Sequence, residues 1–346
     1  MKKTLIALAA LAAGSAFAQS SVTMYGLLDV GYNFHSAGPG AAGANNNVSM
    51  ANFHGPSRFG IKGSEDLGGG LKANFNLESG NLGLDTGSSA VAFGREAWVG
   101  VSGGFGQTRL GLTSSFGTKA TADFDLNEIS TSSAMDNAGI SPVTWYGSSR
   151  RGNQFQYISN SYSGFSGGVA YDLAADATSL KTGSNGAAIA TTKSAGQVMA
   201  AYANGPIAAA FVAESKRQDG VTDNRTAYNL SGSYNLGVAK VSAGLTQSPY
   251  KTVTYGSSGM AIGGKGANIG VVAPFGVTNV GAQFAHNSTS GDNALELFAN
   301  YSLSKRTRLY VDTVRIDYKN NSTGTGASAV PVKDLNRYGV GVVHTF

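Results

Sequence analysis

The sequence predicts an all-β chain: a 16-stranded antiparallel transmembrane β-barrel with a long third external loop folded into the lumen. Three observations lead there. The first residues read as an export signal. Polar and apolar residues alternate with a period of two along most of the chain. No later stretch approaches the ~18 apolar residues of a membrane helix.

The export signal comes first. Lys2 and Lys3 form a short basic region, Thr4 to Ala13 an apolar core too short to span a bilayer, and Ala16-Phe17-Ala18 a small-residue cleavage site. Residues 1–18 are therefore expected to be removed, leaving residues 19–346 as one barrel domain that begins at Gln19. Cys is absent, which excludes a disulfide scaffold and leaves backbone hydrogen bonding and packing to stabilise an exported chain. Charged residues make up 13 %, against roughly 25 % in soluble domains. An exported chain without a membrane helix is either soluble or a closed barrel, because every backbone polar group in lipid must be paired internally. Removing Lys2 and Lys3 leaves 23 basic against 20 acidic residues, a charge of +3. That is too small to argue for nucleic acid as a partner.

The alternation is clearest at Leu71-Lys72-Ala73-Asn74-Phe75-Asn76-Leu77-Glu78, where apolar and polar residues take turns. Asn153 to Ile158 and Leu295 to Tyr301 follow the same rule. Such a strand has one apolar and one polar face. Segments of this kind fall at 22–34, 57–65, 70–79, 94–102, 106–113, 152–160, 165–173, 195–204, 206–215, 225–235, 238–247, 265–274, 277–286, 293–303, 306–317 and 336–346. No helix-period segment of useful length is apparent. An even strand number suits a bacterial barrel.

The connections alternate in length. Long ones include 35–56, 114–151, 174–194, 248–264 and 318–335; short ones include 66–69, 103–105, 161–164, Gly205, 275–276 and 304–305. Short periplasmic turns and long external loops produce this pattern, and a soluble sandwich gives no reason for it. Glycines inside strands, among them Gly60, Gly168, Gly281 and Gly339, relieve crowding in a curved wall. Aromatics toward strand ends (Tyr25, Tyr32, Phe34, Tyr157, Tyr171, Phe211, Tyr234, Phe275, Tyr301, Tyr310, Tyr338, Phe346) suggest interfacial girdles.

Several segments resemble the general porins of β-proteobacteria, the Neisseria, Bordetella, Burkholderia and Comamonas type. Ser21-Val22-Thr23-Met24-Tyr25-Gly26 followed by Asp29 is similar to the family's first strand. Ser57 through Ala73 is similar to a family hairpin almost throughout. Gly94-Arg95-Glu96-Ala97-Trp98-Val99-Gly100 with Phe105-Gly106, Tyr301 to Thr307, and the terminal His344-Thr345-Phe346 resemble further family segments. The resemblance implies a passive diffusion channel for small hydrophilic solutes and ions, often anion-preferring. It also implies a homotrimer in the outer membrane, in contact with lipid and lipopolysaccharide, without a cofactor. A Pro-Glu-Phe-Gly motif common in the family's third loop is missing; Ser115-Phe116-Gly117 keeps only part of it.

Charged side chains at the narrowest point of such a channel set ion preference. Alternation turns Phe59 and Ile61 to lipid and Arg58, Gly60 and Lys62 to water, with Lys72 on the polar face of the next strand. By resemblance, lumen-facing arginines stand at Arg58, Arg95 and one of the pair Arg150 and Arg151. Parity around Trp98 leaves the orientation at Arg95 open. The segment 114–151 is long enough to fold inward and carries Asp123, Asp125, Glu128 and Asp136. Those acids, facing a basic wall, would create a transverse field. Phe346, in parity with Tyr338, Val340 and Val342, looks like the end of a strand that barrel-assembly machinery recognises.

Two rival readings are an outer-membrane barrel hydrolase and a soluble exported β-protein. Gly164-Phe165-Ser166-Gly167-Gly168 matches the nucleophile-elbow pattern but lies in a short turn entering a strand, where that motif lacks its strand-turn-helix context. Gly263-Gly264-Lys265-Gly266 lacks phosphate-loop spacing. The four His are scattered without metal-ligand spacing. No catalytic or metal-ligating residue is therefore expected.

Overall fold

The computed structural model describes residues 20–36, 47–80, 82–84, 92–128, 133–134, 145, 150–172, 192–218, 225–247, 254–255, 260–261, 264–319, 322–323, 330–331 and 334–346. The expected export signal lies outside the described residues.

Alternating sequences become wall strands in chain order. They are β1 (Ser21–His35), β2 (Arg58–Gly68), β3 (Leu71–Gly80), β4 (Glu96–Gly103), β5 (Gly106–Ser114), β6 (Arg150–Ile158), β7 (Phe165–Asp172) and β8 (Thr192–Asn204), and then β9 (Ile207–Gln218), β10 (Arg225–Asn235), β11 (Lys240–Gln247), β12 (Lys265–Phe275), β13 (Thr278–Asn287), β14 (Asn293–Ser302), β15 (Thr307–Asp317) and β16 (Leu335–Thr345). Each is antiparallel to the next, and β16 closes on β1 from Leu27↔Thr345 to His35↔Arg337. Closure removes every sheet edge, which is the condition for strands in lipid.

The faces are inverted relative to a soluble protein. On β13 and β14, Gln283 and Glu296 are almost fully buried while Phe284, Leu295 and Leu297 are 41–49 % exposed. The exposed apolar face is the one lipid covers, and the buried polar face lines the interior.

Strand positions agree with the sequence to within about three residues at either end. The differences are local. Asn47–Ala51, inside a stretch expected to be a connection, pairs with the upper part of β1, whose lower part pairs with β2. The second wall strand is thus interrupted at 52–57. That segment turns inward because Asp29 accepts hydrogen bonds from the His54 N–H (2.6 Å), the Gly55 N–H (2.8 Å) and the Tyr310 hydroxyl (2.9 Å). Small hairpins at 254–255/260–261 and 322–323/330–331 lie within two of the long connections. The connection between β13 and β14, on the long-loop side, is only 288–292.

A short helix, α1 (Phe116–Phe124), opens the 114–151 connection where no helix was expected. Its nine residues are too few for a periodic signal to stand out. Ser115 caps it, accepting a hydrogen bond from the Thr118 N–H at 3.0 Å, and Phe116, Ala120 and Phe124 form one apolar stripe.

Two aromatics expected in a girdle face the interior instead. Tyr310 is 3 % exposed and stacks on Phe53, and Tyr25 hydrogen-bonds to inward side chains of β3. Their parity, not their place near a strand end, decides this. Small residues make room for the inward rings: a Cβ on Gly60 would collide with the Tyr25 ring, and one on Gly339 with Phe53.

Candidate functional site

Ladder register fixes which wall side chains point inward. Arg58 pairs with Leu27 and Gly80, Lys62 with Thr23 and Asn76, and Asn76 with Trp98. Arg58, Lys62, Glu78, Glu96 and Trp98 therefore share the inner face, which resolves the parity around Trp98.

Arg95 stands just before β4 and pairs with the Glu78 carboxylate; its backbone N–H also donates to the Glu78 carbonyl at 3.1 Å. Arg151 pairs with Asp172. Arg150 opens β6 and feels the charges of Arg95, Glu96, Glu78 and Arg58, so these groups form one neighbourhood across β2 to β6. Among the described residues, Arg58 Nη1 donates to the Pro56 carbonyl, at 3.4 Å. Among the described residues, neither Arg58 nor Arg150 has a carboxylate within ion-pair distance. Among the described residues the pair Arg150 and Arg151 thus divides: Arg151 has a carboxylate partner and Arg150 has none. Lys72 has inward parity but stands opposite Asp66 in the backbone ladder at the short-turn end. It lies eight residues along β3 from the level of Arg58, roughly 26 Å away.

The described part of the third connection makes its contacts with the inner face of the barrel. The apolar stripe of α1 packs with Trp145 onto Ala170, Ala210, Val212 and Ala227, small residues on β7, β9 and β10. The Phe116 N–H donates to Gln197 Oε1 at 2.9 Å. Beyond the helix, the Leu126 N–H donates to Gln283 Oε1 (2.9 Å). Asn127 Nδ2 bridges Glu296 Oε1 (2.7 Å) and Asp312 Oδ2 (2.9 Å). The Ala134 N–H donates to Glu296 Oε2 (2.8 Å). The chain thus runs from β5 along the inner wall to β15.

The loop acids take different positions. Asp125 is buried at the end of α1, accepting from Ser133 and from Gln283 Nε2, and burial draws its carboxyl up from the ordinary range. Glu128 receives both Arg308 Nη1 (2.9 Å) and Nη2 (2.7 Å), and lies 3.9 Å from His54. His54 and Arg308 hold its carboxyl well below the ordinary range. Asp123 projects from the helix, and its side chain is exposed, as is that of Glu128. Asp136 lies outside the described residues. Asp125 and Glu128 are thus engaged with the wall that anchors the loop, which leaves little of the expected transverse field to them.

Sequence reading missed Arg109, Arg308, Asp29, His54, Glu78, Glu96, Glu296 and Asp312. Glu78, Glu296 and Asp312 carried a usable signal, being charges at the inward phase of an alternating strand. His54 and Asp29 carried none, because their partners are supplied by chain closure. Ser166 of the nucleophile-elbow pattern is the second residue of strand β7, so no helix follows it in the chain as that motif requires.

A closed sixteen-stranded barrel with an apolar exterior and a charged interior crossed by a loop defines an outer-membrane channel. A family model for Gram-negative porins matches residues 4–321, and the chain belongs to that family. It is 34 % identical to outer membrane porin protein 32 of Delftia acidovorans, over 93 % of this chain and 92 % of that one. Among solved structures it is similar to an anion-selective porin from Comamonas acidovorans (26 % identity, TM-score 0.74, covering 95 % of this chain and all of that one). It shares the fold of OmpT of Vibrio cholerae in its trimer form (13 % identity, TM-score 0.64, 94 % and 99 % covered). The protein is an outer-membrane porin, a water-filled diffusion channel and not an enzyme.

Proposed function

We propose that this porin prefers anions, with Arg58 and Arg150 as the unpaired charges that set the preference. The observation that supports this reading is the contrast along β2 to β6: Arg95 and Arg151 sit on carboxylates, whereas Arg58 and Arg150 have none among the described residues. A fixed charge in a narrow, poorly screened passage raises the local concentration of its counter-ion without holding it tightly, and conduction requires that weakness. The anion-selective Comamonas relative favours the same sign. Arg95 and Arg151 then position the neighbourhood, with Lys62 and Lys72 further along the same wall.

Three further readings accompany it. Residues 1–18 act as the export signal. The channel assembles as a homotrimer in contact with lipopolysaccharide. Phe346, whose N–H and carbonyl exchange hydrogen bonds with Gly26 (3.2 and 3.1 Å), serves as the assembly signal.

Planar-bilayer recording across a KCl gradient tests the central proposal. The reversal potential should show chloride passing in preference to potassium, with insertions in groups of three current steps. Arg58→Ser should reduce the preference by about twofold, the effect expected of one unit charge several ångströms from the ion path in water. Potassium preference in the unaltered channel would refute the assignment.

A further inference from the structure

Two other cations on the inner wall rest on aromatic rings instead of carboxylates. Lys62 Nζ lies 5.0 Å from the Tyr25 ring centroid, and the Arg109 guanidinium lies 4.7 Å from that of Trp98. The two seats share a construction. The Tyr25 hydroxyl donates to Glu78 Oε2 (2.8 Å) and lies 2.9 Å from the Asn76 side-chain amide, and Trp98 Nε1 donates to Glu96 Oε2 (2.8 Å). In each, a glutamate pins the polar edge of a ring whose face carries a cation. The glutamates have other commitments: Glu78 to Arg95, and Glu96 Oε1 to the Ser114 N–H (3.0 Å) and hydroxyl (2.7 Å). The donors of Arg109 meet neutral amides, Gln107 Oε1 at 2.8 and 3.1 Å and Gln156 Oε1 at 3.5 Å. Among the described residues, no carboxylate lies within ion-pair distance of Lys62 or Arg109.

The seats also share a level. Lys62 is opposite Asn76, and Asn76 is opposite Trp98, so Lys62 and the Trp98 ring that carries the Arg109 guanidinium flank β3 about two strand spacings apart in the backbone, roughly 10 Å. Along β2 they lie four residues from Arg58, roughly 13 Å toward the short-turn end. A carboxylate partner cancels the charge that a passing anion meets. A ring holds the cation through its quadrupole and leaves the net charge in place.

We propose that Lys62 and Arg109 form a second, weak binding step for small inorganic anions and carboxylates. Tyr25 and Trp98 are the positioning residues that keep the two charges extended and unpaired. The proposal rests on the anion preference argued above. An anion leaving the Arg58 level then meets another uncompensated tier before the channel opens, and multiple weak sites favour flow over trapping.

The test is the reversal potential of the full-length channel in planar bilayers across a KCl gradient at low salt. Assembly is checked for each variant by heat-modifiable migration in detergent gels. Arg109→Gln should lower the chloride-to-potassium permeability ratio about twofold. Trp98→Leu, which changes no charge, should lower it as much, because the unseated guanidinium falls to the freed Glu96 carboxylate. Trp98→Phe, which keeps a ring face, should restore most of the preference. Lys62→Gln and Tyr25→Leu provide the same comparison at the other seat should a Trp98 variant fail to assemble. Loss of preference in Arg109→Gln with none in Trp98→Leu would overturn the role of the rings. No loss in either Arg109→Gln or Lys62→Gln would overturn the second step. An unaltered channel without chloride preference would instead overturn the reading on which both rest.

Discussion

Replacing Asn127 with leucine should unfasten the crossing loop while leaving the barrel standing. The side chain of Asn127 is 1 % exposed and makes three hydrogen bonds: to Glu296 (2.7 Å), to Asp312 (2.9 Å), and from Asn300 Nδ2 (3.2 Å). Leucine has a similar shape and none of these groups. A hydrogen bond to a charged partner contributes about 1.5–3 kcal/mol and a neutral one about 1 kcal/mol. The attachment should therefore weaken by about 4 kcal/mol, roughly a thousandfold in the ratio of docked to lifted loop. The wall ladders do not pass through Asn127, so heat-modifiable migration should be nearly unchanged. The helix retains its apolar stripe and its bond to Gln197, so movement should concentrate in the segment after Phe124. Single-channel recording reads this directly. The unaltered channel should give quiet open levels, and the variant should give brief current fluctuations and a shifted mean conductance. Quiet traces at the original conductance would show that Asn127 does not fasten the loop.

Other perturbations have equally definite signs. Glu128 is held below the ordinary carboxylate range by His54 and Arg308, so its contribution to the loop attachment is full above ~4.3 and fades only as pH falls further toward its own depressed value. Single-channel noise should therefore stay flat from neutral pH to about 4.5, and Glu128→Gln should be noisy throughout; an onset near pH 6 in the unaltered channel would implicate another group. Asp123 is shifted the other way, raised by burial against Lys119 and Lys240, which lower it. Its protonation begins above the ordinary Asp range, so chloride preference should grow as pH is lowered toward that range, and Asp123→Asn should remove that slope in reversal-potential measurements. Deleting Phe346 should sharply reduce the amount of folded barrel recovered from outer-membrane fractions; an unchanged yield would refute its role as an assembly signal.

The wall was legible because the barrel repeats one physical demand at nearly every strand. A face in lipid and a face in water force a period of two, and the hydrophobic contrast at Leu71–Glu78 survives any uncertainty about its neighbours. Strand order followed from connection lengths, without knowledge of a single contact. What the sequence did not show are places where the chain departs from that demand. Asn47–Ala51 is invisible because the inward turn at 52–57 depends on Asp29, some 25 residues earlier, and on Tyr310 near the other end of the chain. The α1 helix is invisible because its landing strip of small residues on β7, β9 and β10 is assembled only when the barrel closes. Arg109 is legible only as an inward position, in phase with Gln107 and Gly111; its seat on Trp98 comes from the neighbouring strand.

Net charge was the poorest guide, and the structure shows why. The formal charge of +5 sums every ionisable side chain with equal weight. Inside the barrel the weights differ. Glu78, Asp172, Glu214 and Glu128 each lie on a basic side chain: Arg95, Arg151, Lys216 and Arg308. Such pairs fix geometry and largely cancel at the distance of a passing ion. Asp125 is turned into the anchor of the loop, where serine and amide donors surround it. Among the described residues of β2 to β6 away from the turn end, the charges without an ion-pair partner are Arg58, Arg150, Lys62 and Arg109 against the single acid Glu96, which Trp98 and Ser114 hold. On the reading proposed above, selectivity is set by which charges lack partners, and a chain with a balanced total can still present a predominantly basic wall.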